Sequence, residues 1–189
     1  MTALLRCARH APVALEQHCY GRLDVPPRQD ACLSASQLLL TLPAPTPLAI
    51  WTSPLRRCRE VAAHLARLTG AALQVDDRLE EIDFGAWEGC SWEQIERQHP
   101  GSYRAWLAAW HEVAPPRGEA LSAFETRVRS WLQERALRRE ITSSAVVGHA
   151  GVIRALRVLG AGATWEDAFS GSVPWLEWLA VPVAGGPHR

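Results

Sequence analysis

Two histidines and several arginines are spaced along this chain so that each falls where a short apolar run stops. Arg9-His10 follows Leu4-Leu5-Arg6-Cys7-Ala8, Ser53 with Arg56 and Arg57 follows Leu48-Ala49-Ile50-Trp51, and Gly148-His149 follows Ala145-Val146-Val147. Apolar runs of this length suit strands buried on both faces of a parallel sheet. In open α/β sheets, ligands bind just past the carboxyl ends of the strands. Imidazoles and guanidiniums gathered there, beside helix N-termini that already favour negative charge, outline a site for a phosphoryl group. One histidine capping a helix, or one arginine on a solvated face, would be ordinary. Three strand ends delivering the same residue types form a pattern.

The segments between these runs have to position them. A helix over about 34–42 is expected to carry Leu38, Leu39 and Leu42 on one face and to stop at Pro43. Thr52-Ser53-Pro54 reads as an N-cap followed by an N1 proline. The helix it opens has apolar positions Cys58, Val61, Ala62, Leu65 and Leu68 and ends at Gly70. A short strand follows at 73–75. A helix over 120–138 buries Phe124, Val128, Trp131 and Leu132, and the helix after His149 uses Val152, Ile153, Leu156 and Leu159. A last strand is expected at 175–181, with a disordered Gly-Gly-Pro tail. Strands alternating with helices predict an α/β protein with a largely parallel sheet. Residues 76–118 break the alternation and read as a lid-like insertion over the sheet edge, with helices at about 92–98 and 102–112.

Composition narrows the function classes. The 189 residues fit a single domain with a real core. Twenty basic and twenty acidic side chains balance, which gives no field directed at nucleic acid or membrane. Every basic residue is arginine, the better bidentate partner for phosphate. Five cysteines without a close C-x-x-C pair argue against a disulfide framework or a zinc knuckle and suit reduced thiols in the cytoplasm. The apolar stretch 38–51 is interrupted by Pro43, Pro45 and Pro47, so it does not read as a membrane span.

The motifs Arg9-His10, Ser53-Pro54-Leu55-Arg56-Arg57, Leu79-Glu80-Glu81 with Asp83-Phe84-Gly85, and Gly148-His149 together resemble the histidine phosphatase superfamily, the phosphoglycerate mutase-like proteins. The likeness runs over nearly the whole chain. Cys19-Tyr20-Gly21 with Asp24-Val25-Pro26, Tyr103-Arg104-Ala105-Trp106 with Trp110-His111, and Gly118-Glu119 leading into Phe124 and Arg127-Val128 look most like the α-ribazole phosphatase branch. The resemblance implies a three-layer α/β/α sandwich. It also implies a phosphomonoesterase that works through a phosphohistidine and needs neither metal nor cofactor. His10 would be the nucleophile, Arg9, Arg57 and His149 would hold the phosphoryl oxygens, and Glu81 would be the general acid and then the base. Glu80 competes with Glu81 for that last role. The substrate would be a small phosphate monoester, α-ribazole 5′-phosphate being the named candidate. The alternatives are a broad-specificity sugar phosphatase, a phosphoglycerate mutase, and a non-catalytic module that binds a phosphorylated ligand. Oligomeric state is not legible.

Two features depart from the family pattern. Ala11, Pro12 and Val13 stand where a glycine and a phosphate-binding threonine are usual, and Glu16 stands near the asparagine position. Ala11 adds a methyl where the backbone should approach the ligand, and Val13 cannot donate a hydrogen bond. The inserted segment is also rich in tryptophan. Trp87, Trp106 and Trp110 are candidate substrate contacts that could stack on a flat ring; otherwise they pack the lid onto the sheet.

Overall fold

The computed structural model describes residues 2–15 and 17–184; Glu16 and the Gly-Gly-Pro tail lie outside the described residues. In chain order the strands are β1 (Thr2–Arg9), β2 (Ala49–Thr52), β3 (Ala72–Val75), β4 (Ser144–Gly148) and β5 (Trp178–Ala184). Among the described residues they form one sheet in the order β3-β2-β4-β1-β5. β1 to β4 are parallel, and β5 runs antiparallel along β1. The helices are α1 (Ala31–Leu40), α2 (Arg56–Thr69), α3 (Trp92–Gln98), α4 (Pro100–Ala109), α5 (Leu121–Leu137), α6 (Ala150–Ala161) and α7 (Trp165–Ser170). This is the mixed α/β fold, with a mostly parallel sheet, that the sequence leads one to expect.

Strand alternation divides the core into two faces. Leu5, Cys7, Trp51 and Val146 pack with α5 and α6 residues such as Phe124, Val128, Trp131, Ile153 and Leu156. Ala8, Ile50 and Val147 point the other way, into a cluster with Leu38 of α1 and Val61, Ala62 and Leu65 of α2. Helix α1 therefore lies on one face and α6 on the other. The chain leaves β1 toward the first and β4 toward the second. Adjacent strands whose connections part in this way leave a crevice at their carboxyl ends.

Several local expectations need correction. Helix α2 does not open at Ser53-Pro54: its first residue is Arg56, and Leu55 is an N-cap without a side-chain bond. The Ser53 hydroxyl is instead turned to His149. Leu39 and Leu68 are exposed, because α1 and α2 bury narrower stripes centred on Ser34, Ala35 and Leu38 and on Cys58, Val61, Ala62 and Leu65. The last strand begins at Trp178, three residues later than predicted; Leu176 turns the chain there with φ of 56°. Helix α7, closed at its start by a Thr164–Asp167 capping box, was not anticipated at all.

The 76–118 segment packs on the loop that follows β1. Cys19, Trp87 and Ile95 form a small core there, with Phe84, Trp92, Tyr103 and Trp106 against it. Backbone bonds from Cys19 N–H to the Cys90 carbonyl and from Gly89 N–H to the Cys19 carbonyl, both 2.8 Å, tie the two pieces together.

Candidate active site

Register brings the chemistry to one place. Arg9 is level with Gly148 across the β1–β4 pair, and Thr52 is level with Val147 across β2–β4. The next residues, His10 and His149, therefore leave the sheet side by side, with Ser53 just past β2 and level with Gly148, and the His10 N–H bonds the Gly148 carbonyl at 2.9 Å. The imidazole rings of His10 and His149 lie 5.4 Å apart, edge to face. Both are buried, at 2% and 0% exposure.

A carbonyl can only accept, so the 2.6 Å contact between His10 Nδ1 and the Ala11 carbonyl places the ring proton on Nδ1. The lone pair is left on Nε2. Burial, with Arg57 and then Arg9 nearby, pushes His10 down to about 3, so the ring is neutral at physiological pH. Burial and the Arg57 charge also hold His149 well below the usual histidine range. His149 Nε2 is 2.8 Å from the Ser53 hydroxyl, which also accepts the Leu55 N–H at 3.3 Å. The Cys58 thiol closes the other side, 3.4 Å from the same nitrogen.

Arg57 is fully buried. Its guanidinium donates to the carbonyls of Leu23 (2.8 Å) and Gly21 and faces the Tyr20 ring at 5.4 Å. Arg9 donates to the Val173 carbonyl at 3.1 Å and lies 4.3 Å over the Trp175 ring. The Nε atoms of Arg9, Arg57 and Arg154 are buried without an acceptor among the described residues. Unpaired buried donors are costly.

The two carboxylate candidates separate. Glu80 pairs with Arg22 at 3.2 Å. Glu81 reaches the first turn of α6, where its Oε2 accepts the Gly151 N–H at 3.0 Å, two residues beyond His149. A β-carbon on Gly151 would stand 2.1 Å from Glu81 Oε1, so only glycine admits the carboxylate.

Two supporting residues carry no role in the sequence reading. Glu88 accepts the backbone N–H groups of Gly21, Arg22, Leu23 and Phe84 at 2.9–3.1 Å. It thereby fixes the loop whose carbonyls hold Arg57. Arg127 donates to the carbonyls of Arg78, Glu80 and Glu81 at 2.7–2.9 Å and pairs with Glu119, which fixes the backbone beneath Glu81. Arg127 and Glu119 were visible only as parts of a family stretch, and Glu88 only as a charge between Trp87 and Gly89. Arg154, on α6, was also missed; it lies near enough to Glu81 and Arg9 to feel both charges.

Some expectations change. Ala11 is fully buried among the residues of the α1/α2-side core, so its methyl contributes to packing. Val13 bridges to Pro27, and the Pro12 carbonyl accepts the Arg28 N–H at 2.7 Å. The altered loop is thus built into the protein. Trp87 is fully buried and cannot contact a substrate. Trp106 stacks on Trp92 at 6.1 Å and meets Phe84 and Trp87 edge-on, while still lining a cleft beside the site. Trp110 belongs to a different aromatic group, with Trp165 and Phe169. Among the described residues there is no cluster of metal-ligating side chains and no helix long and apolar enough to cross a membrane.

A family profile described as the histidine phosphatase superfamily (branch 1) matches residues 5–178. The chain belongs to this superfamily. Phosphoserine phosphatase 1 of Hydrogenobacter thermophilus is 32% identical over 107 residues, 57% of this chain and 51% of that protein. The adenosylcobalamin/alpha-ribazole phosphatase of Escherichia coli is 31% identical over 115 residues, 57% of each chain. The chain spans about half the length of the curated relatives it matches. The crystal structure of the alpha-ribazole phosphatase from Shigella flexneri superposes with a TM-score of 0.85 over 94% of this chain and 89% of that one. Its 22% identity makes this a likeness of fold. Histidine phosphatases thus supply both the sequence pattern and the architecture described above.

Proposed function

We propose that this chain is a metal-independent phosphomonoesterase that forms a phosphohistidine on His10, with α-ribazole 5′-phosphate as its substrate. The observation that carries the reading is the pairing of two neutral, buried imidazoles 5.4 Å apart with a fully buried Arg57 beside them. In this reading His10 Nε2 attacks phosphorus in line, and the P–O bond to the alcohol breaks as the P–N bond forms. Arg9, Arg57 and His149 hold the phosphoryl oxygens, and Glu81 gives its proton to the leaving alkoxide. Glu81 then takes a proton from water as the water attacks phosphorus, releasing inorganic phosphate and restoring His10. The 76–118 segment, which brings Glu81 to the strand ends, serves as the lid-like part of one domain spanning residues 1–189.

The named substrate is supported by the matching stretches, by the E. coli relative and by the aromatic rings of the cleft that Gly151 lines. The experiment is a phosphatase panel on wild type and His10→Ala, containing α-ribazole phosphate, phosphoserine, 2- and 3-phosphoglycerate, sugar phosphates and p-nitrophenyl phosphate. Turnover that vanishes in His10→Ala and is highest on α-ribazole phosphate is expected. Equal rates in the two proteins would contradict the catalytic assignment, and a clear maximum on phosphoserine would replace the substrate.

A further inference from the structure

A cleft of about 80 Å³ opens next to Gly151, and six aromatic rings, Phe84, Trp106, Trp110, Phe124, Trp165 and Phe169, make up more than half of its lining. Trp110, at the end of α4, meets Phe169 of α7 at 5.0 Å and Trp165 at 5.7 Å, both edge to face. Gly151 lines the same cleft, and it is the Gly151 N–H that holds the Glu81 carboxylate. The cleft therefore adjoins the residue that holds the Glu81 carboxylate. Phe169 lines the cleft and is 49% exposed, so its ring is reachable from solvent.

The polar surroundings favour recognition through ring faces. The Trp165 indole N–H is taken by Glu125 at 2.6 Å, and the Glu119 carboxylate is taken by Arg127. The guanidinium of Arg154 stands 4.7 Å over the Phe169 ring and feels the charges of Glu81 and Arg9, and its Nε–H is buried without an acceptor among the described residues. We infer that Trp110, Trp165 and Phe169 form a leaving-group subsite for a flat aromatic ring. Arg154 donates to the polar linker that joins the ring to the phosphate. Mostly apolar pockets with a few convergent polar groups are the usual form of such sites.

This inference rests on the phosphomonoesterase reading, so its test separates the two. kcat/KM is measured for 2-phenylethyl phosphate and propyl phosphate, alkyl esters of similar leaving-group basicity. Wild type is expected to prefer the ring-bearing ester about tenfold, and Phe169→Leu and Trp110→Leu to cut that preference below about threefold. Arg154→Met is expected to lower kcat/KM most for esters with a hydroxylated linker. No preference in wild type, or equal losses for both esters in the variants, would overturn the subsite. Binding of 2-phenylethylphosphonate and propylphosphonate by calorimetry decides the matter without turnover. Tighter binding of the ring compound, weakened in Phe169→Leu, supports the cleft; equal affinities sink it. Should neither ester be hydrolysed while the ring phosphonate binds tighter, the catalytic reading fails and the subsite stands.

Discussion

The two ends of this site are held in different ways. At the phosphate end, His10 and His149 leave adjacent parallel strands at one level, Ser53 leaves a third one residue earlier, and each group is fixed by hydrogen bonds. Arg57 is clamped by two carbonyls, and the loop bearing them is clamped in turn by Glu88. At the alcohol end the cleft wall has Trp110, just past α4, meeting the α7 rings Trp165 and Phe169 edge to face, and sheet register does not place them. Directional bonds suit a reaction that tolerates little displacement. Apolar contacts can be exchanged for others of similar volume at small cost. In the proposed reading, chemistry is thus built into the sheet, and choice of substrate into the helices beside it.

Substitutions should widen this contrast. The largest loss is expected at the phosphate end: Arg57→Met should lower kcat/KM about 10²- to 10³-fold for every ester, ring-bearing or not, in steady-state assays. Gly151→Ala comes next, since its methyl displaces Glu81. Alkyl phosphates, whose leaving group needs a proton, should slow by about 10²-fold, and p-nitrophenyl phosphate much less. Equal slowing of both would remove Glu81 from the acid role. Glu88→Ala should cost about 3 kcal/mol in urea unfolding, because several loop N–H groups lose their charged acceptor, and it should also raise KM. A cost near zero would show that the loop is held by other means.

A smaller effect is expected on stability just below pH 6.5. Native His10 stays neutral down to about 3, whereas unfolded histidine binds a proton near 6.5. Between those values the unfolded chain carries more protons, so stability falls as pH falls through that window. Melting temperatures of His10→Asn should decline less steeply from pH 6.5 downward than those of wild type. Parallel curves would contradict the buried, neutral imidazole.

The same contrast explains what the sequence disclosed. Strand ends announce themselves, because an apolar run followed by Arg-His or Gly-His is a local pattern, and parallel pairing then aligns the ends. His10, Arg57 and His149 were legible for that reason, and the α/β alternation with them. Glu88 was not, since its partners at 21–23 lie more than sixty residues away and no periodicity connects them. Trp87 was misjudged because a tryptophan looks the same whether it forms a small core or faces a ligand. The wall itself depended on α7, a six-residue helix too short to show a 3.6-residue repeat. The Ser53-Pro54 signal was real but served His149 in place of a helix cap.

The central claim is that His10 carries the phosphoryl group. Wild-type protein turning over p-nitrophenyl phosphate should be quenched in alkali, where phosphohistidine survives, digested, and mapped by mass spectrometry. The account predicts one phosphoryl group on the peptide containing His10 and none in His10→Ala. A phosphoryl group on His149 or Ser53, or continued turnover in His10→Ala, would contradict it.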